Sequence, residues 1–282
     1  MELLRQIDLT DLIKRALAED VGQGDITTAA TVTPGAKGRA TIRVKEPRMI
    51  LAGGFFIEQV MRQTGANPRI VSLAAEGAQL KAGDTLAVAE GNLAGLLIGE
   101  RTALNFVQLL SGIATTTRTY VDAVAGTRAK IIDTRKTHPG LRAVEKYAVR
   151  VGGGHNHRLG LDSAVLIKEN HIASAGSVTK AIEGARRLAP HTLKIEIECE
   201  TLAQVEEALA AGADALLLDN MPLVDIHLAR SLAKSNVLLE VSGGVSLDTV
   251  RAIAEAGVDL ISVGALTHSA RFLDISMRIE LL

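Results

Sequence analysis

Basic side chains are concentrated in one stretch of the chain, from Asp133 to His171. The stretch holds these lysines and arginines: Arg135, Lys136, Arg142, Lys146, Arg150, Arg158 and Lys168. Its acidic residues are fewer: Asp133, Glu145, Asp162 and Glu169. Because the whole chain has a formal net charge of −1, this stretch is a local excess of positive charge. Such an excess predicts a binding site for a small, highly charged anion.

Short apolar runs recur through the second half of the chain, and helical segments separate them. Continuous apolar runs are typical of buried parallel strands. The helical segments are 201–211, where Thr201 and Gln204 form a capping box, and 246–256, where Ser246 is the N-cap. Gly212 and Gly257 are expected to end these helices. The runs are Ile131-Ile132, 164–167, 195–197, 215–218, 237–241 and 260–263.

Residues able to do chemistry follow each apolar run. The right-handed crossover rule leaves a barrel or a doubly wound sheet, and only a barrel gathers all these strand ends at one mouth. Six runs do not make eight strands, so the predicted fold class is α/β, an incomplete TIM-like α/β barrel. The strand-end residues are 133–136, Lys168, Glu198, Asp219, 242–244 and Gly264-Ala265.

The first part of the chain has a different pattern, which predicts a smaller N-terminal α+β sandwich domain. Strands are expected at 38–45, 49–53, 69–74 and 84–89, and helices at 5–18, 54–64 and 93–124. Ser111-Gly112 is expected to bend or divide the last helix. Residues 77–91 resemble a lipoyl-carrier hairpin without its lysine at the tip, so only a turn is expected. The predicted domains are 1–110, 111–270 for the barrel, and 271–282 returning to the N-terminal domain.

Composition excludes several functional classes. Aromatic residues are 2% of the 282 residues, and together with the small net charge this argues against nucleic-acid binding. The charged N-terminus is neither a signal peptide nor a membrane span. A single cysteine, Cys199, excludes an internal disulfide and fits a cytoplasmic protein, and a packed thiol is its expected state.

Glycine-rich turns follow the last two apolar runs. Ser242-Gly243-Gly244 and Gly264-Ala265 lie where barrels of this kind bind phosphate. Glycine lets backbone N–H groups approach an anion closely. The two turns therefore predict phosphate binding, in an enzyme or in a non-catalytic phosphate-binding barrel.

Other residues allow more than one interpretation. Glu198 and Asp219 either pair structurally with Lys168 and an arginine, or lie beside Mg²⁺ or a sugar that develops positive charge. Arg101, beside Glu100, has the spacing of an exposed helical ion pair. His155-Asn156-His157 is similar to the metal-binding pair of amidohydrolases. However, Gly152-Gly153-Gly154 places it in a loop, and nearby arginines would repel a bare cation.

Taken together, the motifs resemble the quinolinate phosphoribosyltransferase family, in the family's order from about residue 10 to 270. A homologous molybdenum-associated protein shares much of this pattern, which leaves the reaction less closely defined than the fold. His138 and His155 lie at positions that vary in the family. The matching motifs are Glu19-Asp20, 24–27, Glu100-Arg101, Asn105-Phe106, 134–137, Pro139-Gly140, 145–147, 152–154, 156–158, 167–171, 218–221 and 242–244.

The resemblance implies transfer of a phosphoribosyl group from 5-phosphoribosyl 1-pyrophosphate (PRPP) to quinolinate, with loss of CO2. The products would be nicotinate mononucleotide, pyrophosphate and CO2, in de novo NAD biosynthesis. Mg²⁺ would accompany PRPP without a direct protein ligand assigned, and no organic cofactor is expected. A homodimer is implied, in which the N-terminal domain covers the partner's barrel mouth and Arg101 enters the partner's site.

The resemblance also assigns roles to the motif residues. Four are expected to be catalytic: Lys136, Lys168, Glu198 and Asp219. The expected substrate-binding residues are Arg101, Thr134, Arg135, Lys136, His157, Arg158, Lys168, Glu198 and Asp219. Ser242, Gly243, Gly244, Gly264 and Ala265 would bind the 5-phosphate.

Overall fold

A computed structural model describes residues 8–233 and 235–282 of the chain. The helices are α1 (Leu9–Val21), α2 (Ile26–Thr31), α3 (Phe55–Gln63), α4 (Leu93–Ala123), α5 (Arg142–Val151), α6 (Glu169–Ala175), α7 (Val178–Leu188), α8 (Leu202–Ala210), α9 (Leu223–Leu232), α10 (Val250–Glu255) and α11 (Ala265–His268). The strands are β1 (Lys37–Val44), β2 (Met49–Ile50), β3 (Arg69–Leu73), β4 (Gln79–Leu80), β5 (Thr85–Asn92), β6 (Lys130–Ile132), β7 (Val165–Ile167), β8 (Ile195–Cys199), β9 (Ala215–Asp219), β10 (Leu238–Ser242), β11 (Leu260–Ser262) and β12 (Ile275–Leu281).

The chain packs as two compact units. We call the first the antiparallel unit; it comprises the described residues up to Arg118, together with Ala143–Gly153 and Ser269–Leu282. We call the second the parallel unit; it comprises Thr119–Arg142 and the described residues of Gly154–His268. None of the described helices combines the length and apolar character needed to cross a membrane.

The antiparallel unit is built on a four-stranded sheet with the order β12-β1-β5-β3. Strand β1 alternates exposed and buried residues, as its sequence predicts, and Ala40, Ile42 and Val44 enter the core. The C-terminal strand β12 pairs antiparallel with β1, so both ends of the chain contribute to this unit.

One prediction for this unit is confirmed and another is wrong in detail. Residues 77–91 contain the expected turn, in which the Asp84 N–H donates to the Lys81 carbonyl at 3.0 Å, and the flanking strands do not pair with each other, because β4 pairs with β2 while β5 pairs with β1 and β3. The strand expected at 49–53 contains only Met49–Ile50. The helix expected at 5–18 is observed as α1, and its predicted residues 5–7 lie outside the described part of the chain.

Helix α4 is continuous from Leu93 to Ala123, so Ser111-Gly112 does not divide it. The Ser111 hydroxyl bonds the backbone of Ala52, accepting from its N–H at 3.1 Å. A Cβ atom at Gly112 would lie 2.0 Å from the carbonyl oxygen of Arg271. These two small residues therefore allow close backbone packing.

All six apolar runs are strands of one parallel sheet in the order β6-β11-β10-β9-β8-β7. From β7 to β11 the order follows the sequence, and β6 then lies beside β11. A doubly wound sheet would reverse direction at a switch point, so the observed order is that of a barrel. No hydrogen-bonded ladder joins β6 to β7 in the part of the chain that the structure describes, which leaves the barrel incomplete as expected.

Helices in the parallel unit follow the predicted signals closely, with one exception. Thr201 and Gln204 form the capping box of α8, and Gly212 and Gly257 have the left-handed φ values of +78° and +84° beyond α8 and α10. The helix expected from Ser246 begins only at Val250. Ser246 instead closes a turn, because its carbonyl accepts the N–H of Val250 and its own N–H bonds the Thr249 hydroxyl.

Candidate active site

A cavity of about 240 Å³ lies within the parallel unit, at the carboxyl ends of its strands. Most of the residues chosen from the sequence line it: Thr134, Arg135, Lys136, His157, Arg158, Lys168, Glu198, Asp219 and Ser242. Leu166, Leu217, Glu240 and Ser262 complete the lining.

The loop after β6 carries Thr134, Arg135 and Lys136. The Lys136 N–H donates to the Thr134 hydroxyl at 3.0 Å, and its carbonyl accepts the buried Thr267 hydroxyl at 2.8 Å. A Cβ at Gly264 would lie 3.3 Å from Lys136 Cδ, so this glycine makes room for the lysine side chain. The Lys136 side chain is thereby packed against Gly264, which follows β11.

Asp133 orients the loop that holds His157 and Arg158. Its carboxylate is fully buried and accepts the His157 N–H at 2.9 Å and the Asn156 side-chain amide at 2.6 Å. Arg158 donates from Nη1 to the Ala164 carbonyl at 3.0 Å, which directs the guanidinium across the cavity edge. Asp133 therefore fixes Asn156 and His157, and the bond to Ala164 fixes Arg158 in the same loop.

Arginine donors in the cavity are left without protein acceptors. The Nε atoms of Arg135 and Arg158 are buried and have no hydrogen-bonding partner among the described residues. Burial lowers the pKa of Arg158, and the nearby charge of Arg135 lowers it further. Two guanidinium groups held close together with unused buried donors form a receptor for an anionic ligand.

Lys168 and Glu198 form an ion pair at the strand ends of β7 and β8. The Lys168 Nζ lies 2.7 Å from Glu198 Oε2, and the glutamate side chain is only 10% exposed. The backbone N–H of Lys168 donates to His171 Nδ1 at 2.9 Å, which anchors the start of α6. Of the two sequence interpretations of Glu198, the structural pairing with Lys168 is therefore present.

Glu198 and Asp219 end the adjacent strands β8 and β9, as predicted. Carboxylate oxygens of Glu198, Glu200 and Asp219 lie within 4.8 Å of one another. Oxygen atoms of this kind suit Mg²⁺ or the hydroxyl groups of a sugar. The pairing with Lys168 leaves this second interpretation open, since Asp219 takes no part in that ion pair.

The glycine-rich turn after β10 adopts the conformation that only glycine accepts readily. Gly243 and Gly244 have φ values of +87° and +60°. Asn220, after β9, also has a positive φ of +53°; its side chain donates to Asp219 at 2.9 Å and its N–H donates to the Ser242 carbonyl at 3.0 Å. Asn220 therefore links the carboxylate end of β9 to the turn. The sequence analysis did not assign it a role.

Two further carboxylates lie beneath these groups, and the sequence analysis missed both. Glu240 lines the cavity although only 1% of it is exposed. Glu196 approaches His157, with Oε2 3.1 Å from Nε2. The sequence did contain a signal for both glutamates. Glu196 and Glu240 each lie two residues before a predicted site residue, and side chains two residues apart on a strand face the same side.

The remaining predicted residues lie outside the cavity lining. Gly243 and Gly244 lie in the loop after β10, Gly264 lies in the loop after β11, and Ala265 is the first residue of α11. Arg101 is exposed on α4, in the antiparallel unit. Cys199 is buried, and burial raises the pKa of its thiol to about 12, with the charge of Glu198 adding to the shift. The expectation of a packed thiol is confirmed.

Comparison with known proteins identifies the same family that the motifs suggest. The family model for the quinolinate phosphoribosyl transferase N-terminal domain matches residues 25–111, and that for the C-terminal domain matches residues 113–278. The nicotinate-nucleotide pyrophosphorylase [carboxylating] of Mycobacterium leprae is 46% identical, and the alignment covers 95% of each chain. A probable nicotinate-nucleotide pyrophosphorylase [carboxylating] of Bacillus subtilis is 41% identical over 99% of this chain and 96% of its own.

Solved structures agree with the sequence matches. The nicotinate-nucleotide pyrophosphorylase from Francisella tularensis superposes with a TM-score of 0.91 at 42% identity and 96% coverage of both chains. NadC from Streptococcus pyogenes gives a TM-score of 0.93 at 42% identity, with 97% of both chains covered. The family resemblance and the barrel fold are thus confirmed, and the chain belongs to the quinolinate phosphoribosyl transferase family.

Proposed function

We propose that the cavity performs the family's reaction, the decarboxylating transfer of a 5-phosphoribosyl group from PRPP to quinolinate. This makes the chain a pentosyltransferase of NAD biosynthesis. The observation that supports the assignment most directly is the pair of arginines, Arg135 and Arg158, whose buried Nε donors have no acceptor among the described residues. Quinolinate brings two carboxylates, and a planar guanidinium matches a carboxylate in geometry and charge.

Quinolinate binds with its carboxylates against Arg135 and Arg158. Lys136 and Lys168 lie on either side, and each serves a carboxylate, the pyrophosphate or both. Each charge-assisted hydrogen bond contributes about 1.5–3 kcal/mol. His157 shapes this subsite with its ring, since Nδ1 accepts the N–H of Arg158 at 2.6 Å and Nε2 faces Glu196.

The phosphoribosyl group lies toward the other side of the cavity. Ser242, Gly243 and Gly244, with Gly264 and Ala265, bind the 5-phosphate through backbone N–H groups, and Thr134 lies at the same edge. Glu198 and Asp219 approach the ribose. Positive charge develops on the ribose ring as pyrophosphate departs, and these two carboxylates stabilise it.

Bond formation and decarboxylation then follow in order. The pyridine nitrogen forms a bond to the anomeric carbon as the bond from that carbon to pyrophosphate breaks. The ring nitrogen becomes cationic and stabilises the electron pair left on the neighbouring ring carbon when its carboxylate leaves as CO2. That carbon takes up a proton, and nicotinate mononucleotide results. No covalent enzyme intermediate is required.

Mg²⁺ is the divalent ion that we propose to accompany PRPP. The donors at this site are carboxylate oxygens, which suit Mg²⁺, and Glu198 and Asp219 are the nearest of them. Bound together with the pyrophosphate, such an ion would neutralise charge on the leaving group, and we assign it no direct protein ligand. No organic cofactor is needed for this chemistry.

Arg101 is proposed to act in the site of a second subunit. It is exposed on α4 and matches the family arginine that crosses between subunits. A homodimer in which the N-terminal domain, residues 1–110, covers the barrel mouth of the partner would bring it there. A cytoplasmic location is proposed with this function, and cell fractionation would test it.

The test of this function is direct. The purified chain, supplied with quinolinate, PRPP and Mg²⁺, is expected to release pyrophosphate and CO2 in equal amounts. Arg135→Ala should raise KM for quinolinate about 10- to 100-fold, because one charge-assisted contact is lost, and should change KM for PRPP far less. Arg187→Ala, which removes an exposed arginine from α7, is the matched control and should behave as the unmodified chain. Equal loss of both substrates in Arg135→Ala would contradict the assignment.

A further inference from the structure

At the base of the cavity lies a cluster of ionisable side chains, of which the reaction described above uses only His157. We call it the floor cluster, and it consists of His157, Glu196 and Glu240. The Nε2 atom of His157 is 3.1 Å from Glu196 Oε2 and 3.7 Å from Glu240 Oε2. Its members belong to three elements of the parallel unit: β8, β10 and the loop before β7.

The hydrogen bonds around His157 define its tautomer. The backbone N–H of Arg158 points at Nδ1 at 2.6 Å, so this nitrogen accepts and carries no proton. The imidazole proton therefore lies on Nε2, which donates to Glu196. With this arrangement His157 is neutral, and its ring orientation depends on a carboxylate that the cavity does not expose.

Glu240 is poorly placed to carry a negative charge. Only 1% of it is exposed, and its Oε1 has no hydrogen-bonding partner among the described residues. The Ser262 hydroxyl on β11 donates to the carbonyl of Val241 at 3.3 Å and also acts on Glu240. A buried carboxylate with an oxygen that lacks a donor is costly, whereas a protonated carboxyl beside an ionised one can donate to it.

We propose that Glu240 is a protonated carboxylic acid that donates to Glu196, so that Glu196 accepts from Glu240 and from His157 together and fixes the quinolinate subsite from below. Both glutamates are positioning residues, and the floor cluster keeps a single negative charge instead of two. A single negative charge matters because the quinolinate dianion is proposed to bind above the floor cluster. The identity of the ligand in this inference rests on the proposed function. The charge of the floor cluster and the tautomer of His157 do not depend on it.

The electrostatic surroundings of Glu240 agree with this arrangement. Burial raises the pKa of Glu240 well above its ordinary value, and the charge of Glu196 raises it further. Asp133, from the loop after β6, acts in the same direction, while Ser262 opposes it. Raising the pH should ionise Glu240, add a second negative charge to the floor cluster, and weaken the binding of quinolinate.

Glu240→Gln separates this role from simple packing. Glutamine has the same shape and donates a hydrogen bond as the acid does, but it cannot ionise. At neutral pH its KM for quinolinate should stay within about threefold of the unmodified chain. Toward alkaline pH the KM of the unmodified chain should rise about tenfold more than that of Glu240→Gln, a change equal to about 1.4 kcal/mol. The other ionisable groups of the cavity, Lys136 and Lys168 included, are the same in both proteins, so the ratio of the two profiles isolates Glu240.

Glu240→Ala removes the donor and should raise KM for quinolinate at every pH, while KM for PRPP changes little. ¹⁵N NMR of histidine-labelled protein, with His157→Asn for assignment, should show the neutral Nε2–H tautomer in the unmodified chain and in Glu240→Gln. This measurement needs no substrate, so it can contradict the proposal even if the chain fails to use quinolinate. Parallel alkaline profiles, an imidazolium or Nδ1–H form of His157, or a stoichiometric metal ion bound by the cluster would overturn it.

Discussion

At the scale of single residues, the site depends on side chains that touch one another rather than substrate. Asn220 shows this clearly, because its positive φ, its bond to Asp219 and its contact with the Ser242 carbonyl all connect two strand ends. Asp133 has the same role on the other side, where it holds the loop of His157. The cations that we propose to bind substrate were recognisable from the sequence by charge alone. Asp133 and Asn220 were recognisable only as members of a strand end and of a family motif, because no distinctive spacing marks a residue that orients its neighbours.

Gly243→Ala should abolish most phosphate binding. A Cβ there would lie 2.1 Å from Asn220 Oδ1, and the φ of +87° is unfavourable for alanine. We expect the KM for PRPP to rise at least about tenfold, because the turn and the Asp219 carboxylate would both shift. The KM for quinolinate should change less.

Gly244→Ala is the matched control for this variant. Its φ is +60°, but a Cβ atom would meet no heavy atom within 4 Å. It should therefore show only the backbone strain, about 1 kcal/mol, and a smaller loss of affinity for PRPP. If both variants bound PRPP equally, contact with Asn220 would not be the reason that Gly243 is required.

At the scale of elements, the sequence predicted what continuous local signals encode. Six apolar runs became six parallel strands, and Thr201-Gln204 capped α8 as expected. The failures concern where an element ends or begins. The strand expected at 49–53 contains only Met49–Ile50, and the turn that Ser246 closes with Thr249 delays the start of α10 to Val250. Residue propensities predict that an element exists more reliably than they predict its ends.

Helix α4 offers a test of why a glycine occupies a helix interior. Replacing such a glycine by alanine normally stabilises a protein by roughly 0.5–1 kcal/mol. At Gly112 the added Cβ would lie 2.0 Å from the carbonyl oxygen of Arg271, so Gly112→Ala should lower the free energy of unfolding by about 1–3 kcal/mol instead. Denaturant unfolding followed by circular dichroism would measure it.

Gly184→Ala in α7 is the control with the opposite expected sign. Its nearest heavy atom would be Arg187 Nη2 at 3.9 Å, an ordinary contact, so the substitution should stabilise. Stabilisation by both alanines would show that the close approach of Arg271 to Gly112 does not constrain α4.

At the scale of the whole molecule, the residues that we propose to bind the pyridine carboxylates and the sugar phosphate lie in the parallel unit, with the exception of Arg101. Arg101 belongs to the antiparallel unit and is exposed. The sequence alone suggested an ordinary helical ion pair there, and only the family motif Glu100-Arg101 indicated a functional role. In the proposed homodimer, Arg101 would contact the substrate bound to the partner subunit and would complete that subunit's site.

Mixing two inactive variants tests whether sites are shared. In a heterodimer of Arg101→Ala and Lys168→Ala, one site would combine the intact Lys168 of its own chain with the intact Arg101 of the partner. The other site would lack both. After random exchange of subunits about half the dimers are mixed, so roughly one quarter of the unmodified activity should return.

Mixing Arg101→Ala with the double variant Arg101→Ala/Lys168→Ala provides the control, because neither chain can then supply the arginine. It should show no recovery, although heterodimers form equally well. If Arg101 served its own chain's site, every site in the first mixture would lack one of the two residues, and mixing would restore nothing. Heterodimers detected by native mass spectrometry without recovered activity would therefore exclude sharing. Recovery near one quarter would place the arginine in the neighbouring subunit's site, which makes dimer formation a requirement for catalysis.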